Sequence, residues 1–190
     1  MSYKIVYERC QSLGGYVSRN HVVNGVTALP NIPPVKIILT GLDTTKCRGF
    51  YLSARNVEHY LVKNHGKTVI CIGRGQNRCW TRMVLAKELM HIFDDPEQST
   101  GSVESYESVL TELFLQTSDK WSPQMQSEID CFVMALGLLC PETFRRNIMD
   151  RHAAGDLDQY AVALTARLPE AYIPYLFSSH YEEAINRILK

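Results

Sequence analysis

Thr81-Arg82-Met83-Val84-Leu85-Ala86-Lys87-Glu88-Leu89-Met90-His91-Ile92-Phe93-Asp94-Asp95 is the stretch whose reading decides the fold. Val84, Leu85, Ala86, Leu89, Met90, Ile92 and Phe93 cover most of the circumference of a helix, so the segment reads as a buried helix. Lys87, Glu88 and His91 interrupt the apolar surface on one side. Positions 87 and 91 lie one turn apart on one face, with 88 beside them. A buried helix with a charged seam needs partners for that seam, because two charges and an imidazole are expensive to remove from water alone.

On the N-terminal side of this helix the pattern is that of a small sheet. Val35–Leu39, Gly49–Ser53 and Thr68–Ile72 are short runs rich in β-branched and aromatic residues, each bounded by turn residues. Val57–Val62 reads equally as a strand or a helical turn. Gly73-Arg74-Gly75 is a strand-to-helix turn, too short for a dinucleotide-binding fingerprint. Residues 1–34 carry the weakest pattern. Tyr3–Cys10 fits a short strand or helix, and 11–34, with Gly14-Gly15 and Leu29-Pro30-Asn31-Ile32-Pro33-Pro34, reads mostly as loop.

On the C-terminal side the period becomes helical. Asp95–Gly101 reads as a loop, and Val103–Leu115 has an apolar stripe of period 3.6. Ser122-Pro123 fits an N-cap followed by proline at the first helical position, opening a helix to about Leu139 that Pro141 ends. Further helices are expected over Glu142–His152, Leu157–Arg167, Glu170–Phe177 and Tyr181–Leu189. Sheet first and helices after is the α+β pattern.

Bulk composition excludes several classes. Twenty basic and twenty acidic residues among 190 give no net charge, so no basic field argues for direct contact with nucleic acid. No run approaches the roughly 20 apolar residues that span a bilayer, and Met1–Arg9 lacks the apolar core of a signal peptide. The six cysteines contain no C-x-x-C pair and read as reduced core thiols. The expected setting is cytoplasmic.

The charged seam has a second half. Glu128 opens the helix that continues Ile129-Asp130-Cys131-Phe132-Val133-Met134-Ala135-Leu136-Gly137-Leu138-Leu139, almost wholly apolar after Asp130. A carboxylate entering such a helix needs a partner, and a metal shared with His91 would supply one. Zinc-peptidase helices carry His-Glu-x-x-His, in which two imidazoles hold the metal and the Glu activates its water. Here the Glu and the second His are present, and Lys87 stands where the first His would be.

Together, Trp80-Thr81…Leu85-Ala86-Lys87-Glu88-Leu89-Met90-His91 and Glu128…Cys131…Met134-Ala135…Leu138-Leu139-Cys140-Pro141, about 40 residues apart, resemble the ImmA/IrrE family of metallopeptidases. The resemblance covers residues 35–145. It implies a zincin-like α+β domain: a small antiparallel sheet on the motif-bearing helix, crossed by the 123–140 helix. Residues 146–190 would form a helical extension, and 1–34 a separate N-terminal segment. It also implies that Glu88 is the catalytic base and that His91 and Glu128 are zinc ligands. The partner it implies is a helix-turn-helix repressor, in a bacterial or phage regulatory context.

Lys87 departs from the family pattern, because a protonated lysine has three donors and no lone pair. Three outcomes follow. The ammonium replaces the cation and pairs with Glu88 and Glu128, leaving the site metal-free. Alternatively, zinc or another divalent ion is held in a shifted site that recruits Asp94 or Asp95 beside His91 and Glu128. In the third outcome Lys87 is neutral by desolvation and acts as a base or weak ligand. Whether the protein is an enzyme stays open at this stage. A non-enzymatic module is the other reading, binding an extended peptide through the cleft and a strand edge near Thr68–Ile72.

The remaining candidates have simpler readings. His59, His65, His152 and His180 are isolated and read as surface or packing residues. Cys131 and Cys140 read as packing residues rather than a ligand pair. Phe144-Arg145-Arg146 with Arg151-His152 reads as a solvated basic face.

Overall fold

The computed structural model describes residues 2–98, 109, 111–112 and 121–190, and it is an α+β fold of mostly helical content around a small sheet. Helices α1 (Ser2–Gln11) and α2 (Arg19–Thr27) come first. The sheet follows: β1 (Val35–Thr40), β2 (Gly49–Leu52), α3 (Tyr60–His65) and β3 (Thr68–Gly73). Helix α4 (Arg78–Met90) leads into a 3-10 turn at His91–Phe93, and a second 3-10 turn spans Pro96–Gln98. After the 121 position come α5 (Pro123–Leu139), α6 (Glu142–Ala153), α7 (Gln159–Ala166), α8 (Ile173–Leu176) and α9 (Ser179–Ile188). The stripe expected over Val103–Leu115 lies largely outside the described residues. No helix among those described is long and apolar enough to cross a membrane.

Two expectations about the N-terminal half are corrected. The stretch expected to be loop, 11–34, contains α2. Ser18 caps it by accepting the backbone N–H of His21, whose ring Nδ1 accepts the N–H of Ser18 in return. Val22 and Val26, four apart, put one face of α2 into the core. The sheet is mixed rather than antiparallel. Its order is β1-β3-β2, with β1 parallel to β3 and β2 antiparallel to it. Thr68–Gly73 is therefore the central strand, buried along its whole length, and cannot offer an edge to a peptide. A continuous apolar run is what burial on both faces requires. Among the described residues the edges are β1 and β2.

The sheet lies against α4, and the approach is close at Gly49. A Cβ there would sit 2.5 Å from a Val84 methyl and 2.8 Å from the Cys71 carbonyl oxygen. Helix α5 opens as expected, with Ser122 accepting the Met125 N–H at 3.1 Å and Pro123 at the first turn. It packs along α4, and its apolar face, Val133 to Leu139, is buried. One apolar core joins residues from Tyr3 to Ile185 and so draws on both ends of the described chain as well as on α4 and α5.

The expected basic face is corrected too. Arg145 is 1% exposed and binds Glu142, Glu182 and the Leu176 carbonyl. It is an internal tie between α6, α8 and α9, with only Arg146 of that pair on the surface.

Candidate functional site

Helix α4 delivers Lys87 and Glu88, and the 3-10 turn that ends it delivers His91 and Asp94. Helix α5 crosses them with Ser127, Glu128 and Cys131 one turn apart on its facing side. Strand β2 closes the third side, its Tyr51 ring 5.8 Å from the His91 ring. Lys87, Glu88, His91, Asp94 and Glu128 line a cleft of about 1380 Å³ together with β2 and the segment running on from it to Asn56.

The charged seam is satisfied from within. Lys87 Nζ donates a short hydrogen bond to Glu128 Oε2 and lies 3.2 Å from Glu88 Oε1. Burial works against the Lys87 charge, but Glu88 and then Glu128 outweigh it and hold its pKa above the ordinary lysine value. That pairing favours the ammonium over the neutral lysine weighed from sequence. Burial likewise pushes the Glu128 carboxyl up, and Lys87, then His91, pull it further down, so it stands below its usual range.

His91 is 8% exposed and sits between two sets of groups. Its Nε2 lies 3.4 Å from Glu128 Oε1 and 3.9 Å from Glu88 Oε2. Its Nδ1 is 2.8 Å from Asp94 Oδ2, 3.3 Å from Ser127 Oγ and 3.5 Å from Cys131 Sγ. Burial and Lys87 oppose a charge on the ring, while the Cys131 sulfur and the Asp94 hydrogen bond favour it, and the net shift is upward.

Lys87, Glu88, His91 and Glu128 are thus brought together. Asp94 and Glu128, however, do not converge on one ring nitrogen: they take opposite ends of the imidazole. The shifted site expected from His91, Glu128 and an aspartate is not formed in that way. Asp95 is exposed, and its backbone N–H bonds the Gln98 side chain instead.

Cys131 was read as packing, and it is indeed fully buried, but its sulfur faces His91 and Asp94. His91, Asp94 and Cys131 offer nitrogen, oxygen and sulfur atoms within 4.8 Å of one another, a buried set able to hold a metal ion. The signal was present in the spacing, because Ser127 and Cys131 at i and i+4 flank Glu128 on the face that meets His91. His65, His152 and His180 are exposed, as expected of surface residues, whereas His59 has a capping role that was not foreseen. His59 caps α3 through its ring, and His152 bonds the Leu157 carbonyl.

Compared with family models, with curated proteins and with solved structures, the chain matches none. The resemblance drawn above rests on its motif residues alone.

Proposed function

We propose that this chain is an ImmA/IrrE-like regulator on a zincin-like scaffold, in which the ammonium of Lys87 takes the place of the catalytic cation. It works by holding a protein partner in the cleft rather than by cutting it. The observation that carries this reading is Lys87 Nζ, paired at once with Glu128 and Glu88.

A family-type zinc does not fit the Lys87, His91 and Glu128 side. Zinc needs lone pairs from three protein groups, and a charged lysine offers none. Glu88 would have to face a metal-bound water to act as base, and here it faces an ammonium. No hydrolytic step follows from this arrangement. What it supplies instead is a compensated, preformed groove beside β2, which is an edge strand among the described residues. An extended segment of a partner can add there as a further strand, with backbone groups for affinity and alternate side chains for selection. By the family resemblance, the partner is a helix-turn-helix repressor in a bacterial or phage setting.

The test compares wild type with Lys87→His for zinc affinity, by competition with a chromophoric chelator, and for hydrolysis of an unfolded protein. Wild type should show no hydrolysis that is both chelator-sensitive and abolished by Glu88→Gln. Lys87→His should bind zinc at least about tenfold more tightly than wild type, since it restores a ligand. Glu88-dependent hydrolysis by wild type would overturn the reading. So would a Lys87→His substitution that leaves zinc affinity unchanged in a Cys131→Ala background, where the sulfur facing His91 is removed, because positions 87, 91 and 128 would then not surround one cation site.

A further inference from the structure

The opposite face of His91 carries a donor set that the Lys87 pairing leaves untouched. Asp94 Oδ2 lies 2.8 Å from Nδ1, and Oδ1 of the same carboxylate lies 3.7 Å from Cys131 Sγ, which is itself 3.5 Å from Nδ1. Ser127 Oγ donates to Asp94 Oδ1 at 2.8 Å and stands 3.9 Å from the sulfur. We propose that His91 Nδ1, Asp94 and Cys131 form a thiolate-bearing site for a zinc-class divalent cation, on the side of the imidazole turned away from Lys87.

The spacing suits that ion. Donors around a tetrahedral zinc with bonds of about 2.0–2.3 Å stand roughly 3.5 Å apart. The sulfur-to-nitrogen and sulfur-to-oxygen separations already have that value. Only the Nδ1–Asp94 pair is closer, at hydrogen-bond distance, and it must open by about half an ångström when the metal replaces the proton. The tautomer is prepared from the other end of the ring. Glu128, fixed by Lys87, faces Nε2 at 3.4 Å, so the ring can keep a proton at that end when a metal displaces the Nδ1 proton that now bonds Asp94. A carboxylate on the distal nitrogen is the usual outer partner of a metal-bound histidine. A fourth position falls to Ser127 Oγ or water.

The set is held by two packed elements. Cys131 and Ser127 project from the middle of α5, and His91 and Asp94 are the two ends of one tight turn. A cavity of about 230 Å³, lined by Gln98 and Asp130 among others, borders the set at Asp94 and Ser127. One thiolate, one imidazole and one carboxylate favour zinc and its transition-metal relatives over magnesium or calcium, which want oxygen alone. Lys87 thereby acquires a second consequence. The residue that denies a cation to Nε2 also fixes the Glu128 carboxylate that faces that nitrogen.

The test is titration of the full chain with Co2+, followed by the thiolate-to-cobalt charge-transfer absorption in the near ultraviolet. Wild type should develop this band and saturate at one equivalent. Cys131→Ala should lose the band. Asp94→Asn, which replaces the carboxylate by an uncharged carboxamide of the same shape, should bind Co2+ at least about tenfold more weakly. Melting of each metal-free variant establishes that it is folded before it is titrated. Absence of the band in wild type at saturating Co2+, or a band that survives Cys131→Ala, overturns the proposal.

Discussion

Lys87 carries one positive charge at the point where Glu88 and Glu128 converge, with side-chain exposures of 20%, 7% and 29% for the three. Removing that charge leaves two carboxylates facing each other with little solvent. Breaking a buried pair in this way costs about 3–5 kcal/mol, and the partial exposure of Glu128 favours the low end. Lys87→Met, which keeps most of the stem packing, should therefore lose about 3 kcal/mol in urea unfolding. A loss under about 1 kcal/mol would mean that the seam behaves as surface. The acid limb reports on the same contact. Because Glu128 is held below its ordinary value of 4.5 in the folded protein, the unfolded chain takes up the proton first as pH falls. The stability contributed by this carboxylate is complete above that value and drains away below it. Glu128→Gln should accordingly lose less stability than wild type on acidification from about pH 5 to 3. The residues of this seam were legible in the sequence because charges in an apolar helix need partners. Cys131 was missed because its composition, a cysteine among Val, Met, Ala and Leu, reads as core, and only its i+4 spacing from Ser127 beside Glu128 marked the face that meets His91.

At the scale of elements, α4 is the hub, and Arg82 is how it holds its neighbours. Its guanidinium is 4% exposed and donates to the carbonyls of Val17, Leu139, Ala166 and Arg167 at 2.6–2.9 Å. Burial pushes its pKa down to about 10, so it remains charged at neutral pH. Those carbonyls close α5 and α7 and precede α2, so one side chain ties three elements to α4. Arg82→Met would strand several buried acceptors at about 1–3 kcal/mol each, for a total loss of at least about 3 kcal/mol. Arg82→Lys should not rescue it, since a single ammonium cannot span carbonyls that a planar fork reaches. Equal urea midpoints for Lys and Arg would refute that role. The helices α4 and α5 were readable from periodicity and the Ser122-Pro123 cap. Helix α2 was obscured by Asn20, His21, Asn24 and Gly25, although Ser18 with Val22 and Val26 carried a cap and a stripe. Strand direction was beyond local pattern, because β3 is inserted between two strands that precede it and nothing in its residues states which neighbour runs parallel.

At the scale of the molecule, the sequence divides into 1–34, 35–145 and 146–190, whereas the core runs through all three. The junction is Gly137 on α5. A Cβ there would meet Ile185 of α9 at 3.0 Å, the Tyr3 hydroxyl at 3.1 Å and the Tyr7 ring at 3.2 Å. The same spot is stitched by hydrogen bonds. Tyr3 Oη donates to the Met134 carbonyl at 3.1 Å, and Gln11 donates to the Gly137 carbonyl at 3.0 Å while accepting the Glu142 N–H at 2.6 Å. Glycine is required at 137 for space rather than for backbone freedom, since it is helical. Gly137→Val should push α1 and α9 off together, at an overpacking cost of about 1–3 kcal/mol. If the three segments fold as one unit, the variant unfolds in a single transition at lower denaturant, and brief proteolysis cuts near both ends at equal rates. If residues 146–190 are instead a separable extension, cutting falls on that side alone and the main transition keeps its midpoint. The charged seam and its cleft would then owe nothing to α9, and the Lys87 contacts, read through the acid limb described above, would be unchanged in Gly137→Val. Loss of that limb together with both helices would show that the ends of the described chain hold α5, and with it Glu128 and Cys131, in place against α4.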